Sequence, residues 1–181
     1  MKFYGVILSQ NTFFVFRLQA LKVFQEALDH SLNDPVLHYQ LGVIYQALSI
    51  YDFAITEYNK YLISANNDMI VHYMIGESYY GLKKYRNAIE FFEKSLEFSN
   101  YKDVKSLYQI ALCYLELEND YQAAKYFKSV LKINPDHSSS RYNLINIYLS
   151  LNKIREAQKE CDILYMLDRD LYNSVNYCIN R

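Results

Sequence analysis

Apolar side chains along most of this chain recur at helical spacing, every three to four residues, and not in the strict alternation of a half-buried strand. Between residues 35 and 171 these periodic runs are about 14 residues long, or about 21 Å as helix. Short polar or glycine breaks separate them: Ser49-Ile50, Gly81-Leu82-Lys83, Glu118-Asn119-Asp120 and Ser150-Leu151-Asn152. A second set of breaks, Asn66-Asn67-Asp68, Ser99-Asn100, Asn134-Pro135-Asp136 and Asp168-Arg169-Asp170, is rich in residues that cap helix N-termini or stop a preceding helix. The pattern predicts a run of helical hairpins. One such hairpin cannot bury its apolar stripe without neighbours.

The hairpins repeat. His38, Leu41, Gly42 and Tyr45 are followed by Ala54 and Tyr58; the same offsets return His72, Ile75, Gly76, Tyr79, Ala88 and Phe92, then Leu107, Ile110, Ala111, Tyr114, Ala123 and Phe127, then Arg141, Leu144, Ile145, Tyr148, Ala157 and Cys161. The period is 34 or 35 residues, and the step from Tyr to Ala is nine residues each time. In each first helix the fourth, seventh, eighth and eleventh positions form one stripe. The eighth is small in three of the four units, and Ala54, Ala88, Ala123 and Ala157 supply a small partner on the second helix, so the two axes can cross at short range.

These residues resemble the tetratricopeptide repeat, whose pattern runs large-x2-Leu-Gly-x2-Tyr, then Ala-x3-Phe, then Pro. The resemblance covers residues 35 to 171. It implies an all-α, right-handed α-solenoid of stacked antiparallel helix pairs: four units at 35–68, 69–103, 104–137 and 138–171, a degenerate repeat or cap at 1–34 and a capping helix at 172–181, in one continuous domain. Three positions depart from the pattern. Ile145 stands where Gly or Ala is usual, Tyr61 where a small residue is usual, and only Pro135 fills the Pro position.

In proteins similar to this one the first helices line a concave groove that holds an extended or helical peptide, which implies a protein or peptide partner and an adaptor or scaffold role. The positions that flank the core stripe would face that groove. The fifth is Tyr in all four units, Tyr39, Tyr73, Tyr108 and Tyr142, and the sixth is Gln40, Met74, Gln109 and Asn143. Val43, Glu77, Leu112 and Asn146 follow at the ninth position, with Tyr80 at the twelfth and Lys105 at the second, so the groove reads as largely neutral and aromatic. Tyr suits recognition because it offers a large rigid apolar face and one hydroxyl at small entropic cost. Relatives that bind chaperone tails hold terminal carboxylates with Lys and Asn at the fifth and ninth positions; only Lys105, Asn143 and Asn146 are usable here, which argues against that role.

Composition narrows the classes further. Nineteen Lys and Arg against twenty Asp and Glu give a formal charge of −1, which lacks the cationic surplus that nucleic-acid binding draws on. With 51% hydrophobic residues the chain is not disordered, and four Gly and two Pro leave little room for a turn-rich β fold. Cys113, Cys161 and Cys178, an odd number in apolar stretches, read as buried thiols of a reducing compartment, so a cytoplasmic setting is expected. His38 and His72 share the fourth position of successive units, but two His without a third ligand do not make a zinc site, and that position normally packs between helices. No phosphate loop, His-Glu-x-x-His, Cys-x-x-Cys or Gly-x-Ser-x-Gly occurs, so no catalytic residue, metal or cofactor is expected.

The N-terminal arm is the one anomaly. Phe3, Ile7, Leu8, Phe13 and Phe14 lie in an apolar run that lacks the small residue and the Tyr by which a first helix docks. Ser9-Gln10-Asn11-Thr12 interrupts the run after six residues, too early for the apolar core of a signal peptide, and no other stretch approaches a membrane span. Apolar surface left undocked usually finds a partner, which makes these residues candidates for self-association into a homo-oligomer or for folding back across the groove, the alternative being an ordinary N-terminal cap with irregular packing.

Overall fold

The computed structural model describes the backbone at residues 2–31, 34–65 and 68–179 and the side chains at 14–29, 31, 34–65 and 68–175. Within those residues there are ten α-helices and no strand. They are α1 (Lys2–His30), α2 (Pro35–Ala47), α3 (Tyr51–Ser64), α4 (Met69–Gly81), α5 (Tyr85–Phe98), α6 (Val104–Glu116), α7 (Asp120–Ile133), α8 (Ser138–Ser150), α9 (Ile154–Leu167) and α10 (Arg169–Ile179). Helices α2 with α3, α6 with α7, and α8 with α9 pack as hairpins, and α3 with α4 and α7 with α8 pack from one hairpin to the next. This is the α-solenoid architecture. The chain divides into two compact units, Met1–Phe91 and Phe92–Arg181, with the boundary inside α5. Division of this kind follows from a repeat array, where each hairpin touches only its neighbours and no single core gathers the whole chain.

Both ends of the first helices are set by local chemistry that recurs with the repeat. Asp34, Asp68 and Asp103 are N-caps whose carboxylates accept from the backbone N–H groups of Val36, of Ile70 and Val71, and of Lys105 and Ser106. In the fourth hairpin His137 takes the same place, its Nδ1 accepting from the Ser140 N–H at 3.2 Å. At the other end, Ser49, Lys83, Glu118 and Asn152 are left-handed, with φ of 61°, 58°, 55° and 55°. In each case the following N–H donates to the repeat Tyr carbonyl: Ile50 to Tyr45, Lys84 to Tyr79, Asn119 to Tyr114 and Lys153 to Tyr148, at 2.7–2.9 Å. This is the Schellman closure of a helix C-terminus, made here without glycine.

In the first unit Leu41, Ala54, Tyr58, Val71 and Ile75 are almost fully buried, with Leu21, Phe24 and Leu28 of α1 packed on them. Gly42 is required by contact and not by backbone conformation. A methyl group added there would lie 2.5 Å from the Tyr58 ring. In the second unit Ala111, Ala123, Phe127, Leu144, Ile145, Ala157, Cys161, Leu164 and Val175 form the core. Ile145, the departure from the usual small residue, is fully buried there, opposite Cys161 where the other hairpins carry Tyr58, Phe92 and Phe127. A large side chain on one helix is thus matched by a small one on the other.

Residues Lys2–His30 form one continuous helix, where a degenerate repeat would need two. Ser9-Gln10-Asn11-Thr12 holds neither Gly nor Pro, and polar residues alone lower helix propensity without ending a helix. The second half of α1 runs along α2: Arg17 donates to the carbonyl of Ala47 at 2.8 Å, Gln25 to the Tyr45 hydroxyl at 2.8 Å.

Candidate peptide-binding face

The fifth-position tyrosines sit one helical step from the core stripe and are half-buried, none lying free on the surface. Two of the rings rest on the aromatic position of the paired second helix. Tyr39 is 6.3 Å from Tyr58 and 5.5 Å from Tyr61; Tyr108 is 5.7 Å from Phe127, edge-on, and 5.0 Å from His137. Tyr142 packs against the second unit's core, and Tyr39 and Met74 against the first. A ring at that position is long enough to reach back over the stripe beside it.

Most of the other expected groove residues are also half-buried: Gln40, Val43, Tyr73, Met74, Glu77, Tyr80, Gln109, Leu112 and Asn143, while Lys105 and Asn146 are exposed. Some of them are joined. In the first unit the Tyr58 hydroxyl donates to Gln46 Oε1 at 2.7 Å, and Gln46 Nε2 donates to Glu77 at 3.2 Å, which carries a hydrogen-bond chain from one hairpin to the next. Burial, with the Tyr39 phenol and the Glu77 carboxylate nearby, pushes the Tyr58 phenol well above its usual value, so it remains a donor. In the second unit Asn143 Nδ2 donates to the Ser139 carbonyl at 2.8 Å and reaches the Tyr108 hydroxyl at 3.5 Å. Gln46 holds the twelfth position of its helix, one of the positions expected to flank the groove.

A different regularity escapes sequence pattern reading. In three hairpins the fourth position of the first helix faces the residue 19 further on: His38 Nδ1 lies 2.6 Å from Glu57 Oε2, His72 stacks near Phe91 with centroids 6.1 Å apart, and Arg141 pairs with Glu160. By the same offset Leu107 corresponds to Tyr126. Lys60 closes on Glu57 at 2.8 Å, and Arg141 also donates to the Pro135 carbonyl at 2.6 Å. His38 and His72 are thus separate packing groups.

Among the described residues no three His, Cys, Asp or Glu side chains cluster as a metal site. Cys113 and Cys161 are fully buried, and burial pushes their thiols up to about 12 and about 11. Phe14, Val15 and Phe16 of α1 are exposed to 50%, 51% and 61%. Phe3, Ile7, Leu8 and Phe13, and Cys178 near the other end, have side chains outside the described residues. No helix among the described residues is long and apolar enough to cross a membrane.

Residues 81–162 match the family model for anaphase-promoting complex, cyclosome, subunit 3. No curated protein matches the chain by sequence. Several solved structures share its fold. MamA (residue 41 to the end) from Desulfovibrio magneticus RS-1 is 21% identical, with 93% of this chain and 95% of that one covered at a TM-score of 0.76. YrrB, described as a TPR protein with an unusual peptide-binding site, is 20% identical, with 98% and 90% covered at 0.75. PilF from Pseudomonas aeruginosa is 21% identical, with 90% and 72% covered at 0.70. At these identities the likeness is one of fold.

Proposed function

We propose that the chain is a tetratricopeptide-repeat adaptor without enzymatic activity, whose first-helix faces hold an extended or helical segment of a partner protein. The observation that carries this reading is the row of half-exposed tyrosines with a polar neighbour at nearly every step, at Gln40, Gln109 and Asn143. A ring backed by the core is already fixed in place, so little side-chain entropy remains to be lost when a peptide lies on it. Affinity for one segment falls in the micromolar range, about −8 kcal/mol.

The test uses peptides selected against the wild-type chain from a random library. Met74→Glu in one unit and Asn143→Ala in the other alter this face without emptying the core, and each is expected to weaken the selected peptides about tenfold. Unchanged affinity in both variants, with unchanged thermal melting, would refute the assignment. A second reading, structural self-association through α1, is favoured by the exposure of Phe14, Val15 and Phe16. Sedimentation of the full chain and of a form lacking residues 2–16 decides it: a monomer in both rules it out.

A further inference from the structure

We propose that the cleft between α5 and α7 is a second docking site, which takes an acidic peptide segment through one bulky apolar side chain. The cleft encloses about 730 Å³ and none of the first-helix tyrosines lines it. A pocket of several hundred Å³ is of the size that buries a side chain and its flanking backbone. Its floor is apolar, made by buried Leu96 and Leu107, half-buried Tyr126 and partly exposed Ile133.

The charges around that floor select the occupant. Lys125 and Lys132 stand two turns apart on α7, and Lys102 lines the cleft from the turn between α5 and α6. None of the three makes an ion pair or a hydrogen bond through its ammonium group among the described residues. The facing helix offers Glu93 and Glu97, but Glu93 is engaged: the Tyr126 hydroxyl donates to it at 3.2 Å. Burial first, then the charges of Glu93 and Tyr114, hold the Tyr126 phenol up at about 12, so that donor persists at neutral pH. Tyr114 stacks on Tyr126 with centroids 5.6 Å apart and fixes the ring. A neutral phenol leaves Glu93 charged, so the lining carries three lysines against two glutamates, a surplus of one positive charge. A partner that brings carboxylates either side of an apolar anchor satisfies them; a basic partner does not.

The turn at the cleft's end is strained. Asn100 and Tyr101 are consecutive left-handed residues, with φ of 51° and 59°, whereas no residue from 134 to 137, in the corresponding turn after α7, has positive φ. The strain is held by Tyr101 N–H donating to Leu96 at 2.9 Å and Lys102 N–H to Ser99 at 3.2 Å, with the Ser99 hydroxyl on the Leu96 carbonyl at 2.8 Å. Non-glycine residues in this region persist only where their surroundings hold them. The turn places Tyr101, 62% exposed, in the lining of the cleft.

The experiment is fluorescence anisotropy on the full chain with three labelled probes: Asp-Glu-Phe-Asp-Glu, the same peptide with Ser for Phe, and Lys-Arg-Phe-Lys-Arg. The first is expected to saturate at about 10–100 μM, the serine form to bind about tenfold more weakly, and the basic form not to saturate. Ser129→Tyr, which obstructs the cleft, and the pair Lys125→Ser with Lys132→Ser, which removes cations without touching the core, are each expected to weaken the first probe about tenfold. Met74→Glu on the tyrosine face is expected to leave it unchanged. The proposal falls if the first probe fails to saturate below about 1 mM, if the lysine pair binds it as the wild type does, or if the basic probe binds equally well. It falls likewise if Met74→Glu alone abolishes binding, which would place the probe on the other face.

Discussion

Single residues in this chain divide by whether contact or conformation fixes their identity. Gly42 is fixed by contact with Tyr58, so Gly42→Ala is expected to destabilise the fold by about 2 kcal/mol in urea unfolding, since overpacking a tight crossing forces the ring or the backbone to move. Ser49, Lys83, Glu118 and Asn152 are fixed only by conformation. Lys83→Gly and Glu118→Gly are each expected to raise stability by about 0.5–1 kcal/mol, the relief of a left-handed side chain less the extra freedom of the unfolded chain. The buried thiols and phenols set a pH limit. Tyr58, Tyr126, Cys113 and Cys161 all titrate higher when folded, so the unfolded chain loses its protons first as pH rises. Stability is expected to be flat at neutral pH and to fall above about pH 9, which denaturant midpoints across an alkaline series would check. Alkylation at neutral pH, mapped by mass spectrometry, should spare Cys113 and Cys161 until the chain unfolds.

At the scale of helices and hairpins, much of the architecture was legible because its determinants are local. The hairpin breaks recur with the sequence period, and the Asp caps and Schellman turns fall in or beside them. The helix crossings were legible too, from Gly42 and the four alanines. Three features were not. The single helix α1 was not, because the resemblance implies a degenerate repeat or cap over 1–34, although nothing in Ser9-Gln10-Asn11-Thr12 stops a helix. The burial of the tyrosines depends on how far a ring reaches across its own helix, which spacing does not encode. The pairing of fourth and twenty-third positions is chemically different in every hairpin, so no repeated residue type announces it. That pairing carries a prediction: Arg141→Leu alone leaves Glu160 without its partner and is expected to cost about 3 kcal/mol, whereas the double change to the Leu and Tyr of the third hairpin should recover most of it.

Across the whole chain, stability is expected to behave as a sum over neighbours. Leu144→Ala empties part of the second unit's core, so hydrogen exchange should quicken in α8, α9 and α10 while α2 and α3 keep their protection. Uniform acceleration through both units would show that the array unfolds as one block. The tyrosine faces belong to first helices, and the cleft is walled chiefly by second helices. A partner segment and an acidic anchor could therefore be carried without competing for the same side chains.

Each hairpin carries both members of its own fourth-position pair, nineteen positions apart, although Arg141 also reaches back to the Pro135 carbonyl of the preceding module. A gene that duplicated residues 104–137 would copy Leu107 together with Tyr126, and one that deleted them would remove both at once. Changes of length by whole modules would therefore keep each such pair together, and reach along a partner could be altered without separating Arg141 from Glu160.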